Sequence, residues 1–269
     1  MSAPELASVD GQIVGRADAV IPAADDGLLR GDGVFEVIRL YGGRPFALGE
    51  HLDRMERSAA GIDLPLDRTA FEPEIAALLA EFGTNDGQLR LVATRGGRRL
   101  AFTEVLPPYA ERERIRVISL TYAPTGMLDG VKSLSYAANM KAIRLAESRG
   151  ADDALLVRPD GIVLEAPTST VFWATADGKL RTPGLEVGIL ASITRERLIR
   201  ELEVEEGAFS LDDLLSANEA FLASTVREVQ AVSAINETEL PECLGERTEA
   251  AARAFAAVLE RELAASPST

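Results

Sequence analysis

The sequence predicts an α/β protein of two domains. Segments that read as strand and as helix follow one another in both halves of the chain, and a Pro107-Pro108 break interrupts them near the middle. The 269 residues are enough for one large domain or two smaller ones. The boundary is placed within 107–126, which gives domains of 1–115 and 116–269.

In the first half, Val34 to Tyr41 is β-rich and alternates in part. Gly42-Gly43 makes a tight turn into Arg44 to Leu48. A helix is expected from about Gly49 to Ala60, stopped near Gly61, and another over Arg68 to Phe82. Gln88 to Arg95 reads as a strand and Gly96-Gly97 as its turn. After the double proline, Arg112 to Tyr122 reads as a strand and Ala123 to Gly126 as a loop.

Tyr136 to Arg149 reads as a helix closed by Gly150, a residue suited to a left-handed cap. Ala154 to Val157 and Ile162 to Leu164 form a hairpin through Arg158-Pro159-Asp160-Gly161, where Pro presets φ and Gly accepts φ > 0. Thr170 to Ala174 is the next strand, with a turn at Asp177-Gly178. A helix is expected from Ser192 to about Val204, a short strand over Ala220 to Ala223, and a final amphipathic helix from Thr248 to Ala264.

A formal charge of −15 argues against nucleic acid and against an anionic membrane surface as partners. The single cysteine, Cys243, allows no intrachain disulfide, which fits a reducing compartment. Met1 to Leu6 shows neither a basic leader nor a long apolar run, so a cytoplasmic location is the default expectation. The single histidine, His51, rules out zinc sites built on several His or Cys, and no metal is expected. A Ser-His-Asp triad would need His51 as its base; His51 reads instead as structural. Proton chemistry then falls to Lys, Glu, Asp, Tyr or a cofactor.

Lys132 and Glu165 are the pair with most chemical content. A helix and a hairpin separate them, an arrangement that can return a carboxylate towards an amine. A buried lysine is a Schiff-base nucleophile, although most lysines are solvated surface groups. Leu190-Ala191-Ser192-Ile193-Thr194-Arg195 opens a helix, where free N–H groups and the dipole attract an anion; an ordinary N-cap accounts for the same residues. Ser224-Thr225, at a strand end, is a second anion contact or a plain turn. Arg54 suits a two-pronged hold on phosphate, or is a solvated helix residue. Tyr136 is a phenolic contact one helical turn after Lys132, or a half-buried core tyrosine. Lys141, nine residues on, reads as a solvated helix residue.

Several segments occur together in one order: Arg30-Gly31-Asp32-Gly33-Val34-Phe35-Glu36, Glu50-His51-Leu52-Asp53-Arg54, Lys132-Ser133-Leu134-Ser135-Tyr136, Leu164 to Phe172, Thr182-Pro183, Ile189 to Arg195 and Ser224 to Val229. Over roughly residues 10–260 the chain resembles the class IV, fold type IV, pyridoxal phosphate (PLP)-dependent aminotransferases. These include branched-chain and D-amino acid aminotransferases, (R)-amine transaminases and 4-amino-4-deoxychorismate lyases.

The resemblance implies a small N-terminal α/β domain, a larger C-terminal pseudo-barrel domain, PLP in the cleft between them, and a homodimer. It makes Lys132 the Schiff-base lysine and proton shuttle, and Glu165 the partner of the pyridine nitrogen. Arg54, Ile193, Thr194, Ser224 and Thr225 would hold the phosphate. Tyr136 would contact the 3′-oxygen, and Leu190 would pack against the ring.

Substrate signals are mixed. Glu36-Val37-Ile38-Arg39 resembles the D-amino acid and (R)-amine branch, with Phe35 where that branch often has tyrosine. Arg98 or Arg99 could trap a substrate carboxylate, without the histidine that branch adds. Leu89-Arg90-Leu91-Val92 departs from the branched-chain pattern. Lys132 to Met140 also resembles some aminodeoxychorismate lyases. Val226 and Arg227 would border the substrate, where Arg227 could reach its carboxylate or merely a surface acid. The expected reaction is ping-pong transamination, with 2-oxoglutarate or pyruvate as acceptor; elimination of pyruvate to leave 4-aminobenzoate is the alternative. A PLP-free binding protein on this fold would not need both Lys132 and Glu165.

Overall fold

The computed structural model describes residues 4–265 except Arg112. It forms two compact units. The first runs to Pro107 and takes in Val131–Tyr136 and the chain from Leu259; the second comprises Pro108–Gly130 and Ala137–Val258. Among the described residues no helix is long and apolar enough to cross a membrane.

Unit 1 begins with β1 (Leu6–Val9), β2 (Gln12–Gly15) and the short helix α1 (Asp26–Arg30). Strands β3 (Gly33–Tyr41) and β4 (Arg44–Pro45), helices α2 (Leu48–Gly61) and α3 (Arg68–Phe82), and strands β5 (Gly87–Thr94) and β6 (Arg99–Glu104) follow. The six strands form one antiparallel sheet in the order β2-β1-β6-β5-β3-β4. Successive strand residues point to opposite faces. Val34, Ile38 and Leu40 of β3 therefore share a core with Leu52, Met55 and Ala59 of α2 and Phe71, Ile75 and Leu78 of α3. Phe35 and Val37 face the other way, into a cluster with Val92, Phe102, Leu134 and Tyr136.

Unit 2 contains β7 (Arg114–Thr121), α4 (Ala137–Ser148), β8 (Asp153–Val157), β9 (Thr170–Ala174), β10 (Leu180–Pro183), α5 (Ile193–Glu201) and β11 (Val204–Gly207). It continues with α6 (Leu211–Leu215), β12 (Glu219–Ser224), β13 (Glu228–Ile235), β14 (Thr238–Glu239) and α7 (Glu246–Ala265), whose residues from Leu259 group with unit 1. Its eight-stranded sheet runs β11-β10-β9-β12-β13-β7-β8, with β14 on β13. The β7–β8, β13–β7 and β10–β11 pairs are parallel. Parallel neighbours need a crossover, and α4 supplies it for β7 and β8, setting Ala142 and Ala146 against Leu156 and Leu164. Trp173, Val171, Leu222 and Val232 fill a second core on the sheet.

Most predicted elements lie within a residue or two of those observed. Two differ. The expected strand start at Arg112 lies outside the described residues, as do Met1, Ser2 and Ala3, and the strand seen begins at Arg114. The helix expected to reach Val204 stops at Glu201, because Val204 pairs in parallel with Leu180. Strands β1, β2, β6, β10, β11, β13 and β14 went unread; most of their signal is pairing with neighbouring strands rather than a local word.

Helix α7 starts against a tertiary cap. Glu219 is 3% exposed, and its carboxylate accepts the N–H groups of Arg247 (2.9 Å) and Thr248 (2.8 Å) and the Thr248 hydroxyl (2.6 Å). Those donors would otherwise be unpaired at the first turn. Glu219→Ala should lower stability in urea unfolding by about 2–4 kcal/mol. A loss under about 0.5 kcal/mol would show that water replaces the cap freely.

Candidate active site

In unit 1 the site begins with a carboxylate in an apolar core. Glu36 alternates in β3 with Val34, Ile38 and Leu40 and is 0% exposed. An isolated charge there would cost several kcal/mol. Arg54 Nε donates to Oε1 at 2.7 Å, Arg54 Nη2 donates to Oε2 at 2.6 Å, and His51 Nδ1 lies 2.8 Å from Oε2. Burial raises the Glu36 pKa, but the Arg54 charge and the hydrogen bonds from Arg54 and His51 outweigh it and hold the carboxyl well below its ordinary range. Burial pushes the His51 imidazole down against the pull of Glu36. His51 is thus neutral, and its partner assigns the proton to Nδ1.

His51, Arg54 and Ser58 lie on one face of α2, spaced by three and four residues. Ser58 continues the site to the lysine: the Lys132 backbone N–H donates to Ser58 Oγ at 3.1 Å. Phe35 N–H donates to the Lys132 carbonyl at 3.1 Å and Leu134 N–H to the Gly33 carbonyl at 2.8 Å, with an antiparallel bridge between Val34 and Ser133. Residues 132–134 thereby extend the sheet at β3.

Two glycines permit this approach. A Cβ on Gly33 would stand 2.4 Å from the Ala93 carbonyl oxygen, and Gly31, at φ +69°, would place one 3.1 Å from Ser135 Cα. Between them, Asp32 binds the Arg95 guanidinium through both oxygens (3.1 and 3.2 Å), and Arg95 also donates to the Ile62 carbonyl at the end of α2.

Lys132 Nζ lies 4.3 Å from the Phe35 ring centroid and 5.7 Å from that of Tyr136, and the two rings meet edge to face at 5.2 Å. Contacts of this kind attract an ammonium group. Arg90, which the sequence reading passed over, brings its guanidinium carbon 6.0 Å from the same Phe35 ring. Its Nε donates to Glu104, which also accepts from Arg16 and Gln88. An arginine inside the apolar run Leu89-Arg90-Leu91 was the available signal. Arg98 donates to Asp10 at 2.7 Å and Arg99 to Glu74 at 2.8 Å.

In unit 2, Glu165 follows a paired segment (Leu164 N–H to the Leu156 carbonyl, Leu156 N–H to the Glu165 carbonyl, both 2.9 Å) and precedes a tight turn closed between Ala166 and Ser169. Its Oε1 accepts the Leu190 N–H at 3.3 Å, so these two predicted residues meet. Ser192 caps α5 by accepting the Arg195 N–H. The next residues, Ile193 and Thr194, are buried, and Thr194 Oγ1, on a residue 1% exposed, has no hydrogen-bond partner among the described residues.

Ser224 Oγ accepts the Arg227 N–H across a turn that carries half-buried Thr225 and buried Val226. Arg227 is itself buried: it donates to Asp153 at 2.5 Å and to Gln230, and its guanidinium carbon lies 4.3 Å from the Tyr109 ring centroid. Burial pushes the Asp153 carboxyl up, against the pull of Arg227. The guanidinium is thus engaged by the protein's own groups. Lys141 is exposed on α4.

The amino-transferase class IV family model matches residues 33–235, three quarters of the chain. The chain belongs to the class IV aminotransferases. Among curated relatives it is 34% identical over 251 residues to a putative branched-chain-amino-acid aminotransferase of Methanocaldococcus jannaschii, covering 85% of this chain and 87% of that one. It is 32% identical over 248 residues to the D-alanine aminotransferase of Bacillus licheniformis (84% and 87%), and 31% identical over 269 residues to the aminodeoxychorismate lyase of Bacillus subtilis (90% and 90%).

Solved structures agree in fold. A fold IV transaminase from Curtobacterium pusillum superposes with TM-score 0.85 at 30% identity, covering 96% of this chain and 99% of that one. A hypothetical aminotransferase from Mycobacterium tuberculosis, in its α-ketoglutarate- and PMP-bound form, gives 0.86 at 27% identity, covering 94% and 98%. The chain is a fold type IV enzyme.

Class IV aminotransferases use PLP, and the residues here suit it. An unpartnered buried hydroxyl and the N–H groups at the start of α5 suit a phosphate. The amine on the Phe35 ring suits an aldehyde, and the Glu165 carboxylate suits a protonated ring nitrogen.

Because His51 is the chain's single histidine, its titration can be isolated. Below about pH 6.5 the unfolded chain takes up a proton that folded His51 resists, so its contribution is full above that pH and is lost as pH falls. His51→Gln should therefore show a stability deficit in urea unfolding at pH 7.5 that shrinks by pH 5.5. A deficit constant with pH would mean that His51 titrates alike in both states.

Proposed function

We propose that this aminotransferase moves an amino group from an α-amino acid to a 2-keto acid by a ping-pong route, with D-amino acids the favoured donors and branched-chain L-amino acids second. The carrying observation is the placement of Lys132: its backbone is held on both sides while Nζ rests on Phe35. The likeness of Glu36 to Arg39 to the D-amino acid branch, and the relative in B. licheniformis, support the preferred hand. 2-Oxoglutarate or pyruvate is the proposed acceptor; the M. tuberculosis relative holding α-ketoglutarate supports the first.

Each residue has a proposed task. Lys132 carries the cofactor covalently and then moves a proton at the substrate Cα. Glu165 keeps a proton on the ring nitrogen, oriented by the Leu190 N–H on its Oε1. Arg54, the N–H groups at Ile193 and Thr194, the Thr194 hydroxyl and the Ser224-Thr225 turn hold the phosphate. Tyr136 contacts the 3′-oxygen, and Leu190 packs against the ring. Bound there, the cofactor supplies a protonated ring into which charge released at Cα can spread.

Arg90, beside the ring that carries Lys132 Nζ, is the proposed contact for the substrate carboxylate, in place of Arg98 and Arg99. A homodimer is proposed; Leu28 and Leu29 of α1, 61% and 63% exposed, offer apolar surface that a second copy would cover.

The lyase of B. subtilis supports a second reading, elimination of pyruvate from 4-amino-4-deoxychorismate, which needs no keto acid. The two separate in one experiment. The purified protein loaded with PLP should lose its yellow absorbance when D-alanine is added without a keto acid, and L-leucine should act more slowly. Retained colour with both, and release of 4-aminobenzoate from aminodeoxychorismate, would replace the transaminase reading by the lyase. Arg90→Gln should raise KM for an α-amino acid by roughly ten- to a hundredfold, the worth of a charged hydrogen bond. Arg98→Gln should leave it nearly unchanged; the reverse order would return the carboxylate to Arg98.

A further inference from the structure

We propose that Ser58 is a positioning residue for Lys132: its hydroxyl fixes the lysine backbone so that Nζ is delivered to the Phe35 ring. This rests on the reading of Lys132 as the cofactor-bearing lysine.

Ser58 is 1% exposed on α2, and its Oγ is the acceptor for the Lys132 N–H at 3.1 Å. The lysine carbonyl is already taken by Phe35 N–H on β3. Lys132 is thus gripped from a helix on one side and a strand on the other. The helix comes close enough for this because its last turn ends in glycine: a Cβ on Gly61 would stand 2.9 Å from a Val131 methyl. Without the hydroxyl, the amide has no such acceptor from the helix, and a short segment resting on β3 alone gains freedom.

A lysine stem has four rotatable carbons, so looseness at its root spreads at its tip. Condensation with an aldehyde needs the nitrogen close to the carbonyl carbon and in line for attack. In that step the amine nitrogen adds to the aldehyde carbon and the aldehyde oxygen leaves as water. Ser58 touches neither reactant; its effect passes through the Lys132 backbone. It also continues the face of α2 that carries His51 and Arg54, so one helix sets both the Glu36 pair and the lysine root.

The test compares PLP with pyridoxamine phosphate, which has no aldehyde and cannot condense with lysine. Apo wild type, Ser58→Ala, Ser58→Thr and Lys132→Ala are mixed with PLP and the rise of visible absorbance is timed; pyridoxamine phosphate affinity is measured by calorimetry. Ser58→Ala should capture PLP roughly three- to tenfold more slowly, the factor carried by one lost hydrogen bond. Its pyridoxamine phosphate affinity should stay at the wild-type value while its melting temperature falls by about 2–4 °C, as for one lost buried hydrogen bond, and Ser58→Thr, which keeps the hydroxyl, should restore the rate. Wild-type capture by Ser58→Ala overturns the proposal. So does a parallel fall in capture, pyridoxamine phosphate affinity and melting temperature, which would make Ser58 a packing residue. Wild-type absorbance in Lys132→Ala would instead defeat the reading of Lys132 itself.

Discussion

The Glu36 carboxylate is the constraint on which unit 1 turns. A charge among Val34, Ile38 and Leu40 is tolerable only if every oxygen is met. Arg54 and His51 meet them, and both sit on α2. The rotation of α2 about its axis is thereby set: the face that turns to Glu36 is one face, and no other face carries those donors. A buried pair of this kind contributes little net stability over an apolar substitute. Its consequence is geometric, because Ser58 lies on that same face and is carried to the Lys132 amide.

The lysine segment depends on close backbone approach as much as on hydrogen bonds. Gly31 and Gly33 lack the Cβ that would strike Ser135 and the Ala93 carbonyl, and Asp32 between them ties the turn to Arg95. What reads along the chain as Arg-Gly-Asp-Gly is, in space, a docking surface. The Lys132 Nζ then rests on Phe35, and Arg90 reaches the same ring. In unit 2 a second buried ion pair, Arg227 with Asp153, braces the turn of Ser224 to Glu228. Arg227 meets Asp153, 74 positions away in the chain.

The strand Val34 to Tyr41, the two helices that follow, the Pro159-Asp160-Gly161 turn and the helix closed by Gly150 were legible because each carries a local cause: alternation, a capping residue, or a glycine with positive φ. The family was legible too, because several short segments occur together in one order along the chain. By itself, then, the sequence determined the class of fold and the family.

Tertiary structure alone decided what those side chains rest on. Helix α5 ends early because Val204 joins a parallel strand. Arg98 and Arg99 pair with Asp10 and Glu74, while Arg90 pairs with Glu104 beside the Phe35 ring. Ser58, a small polar residue with no local signal, becomes the acceptor for a lysine 74 positions away. The physical reason is common to all of them. A buried hydrogen bond or ion pair is specified by both partners at once, and a reading along the chain sees only one of them at a time.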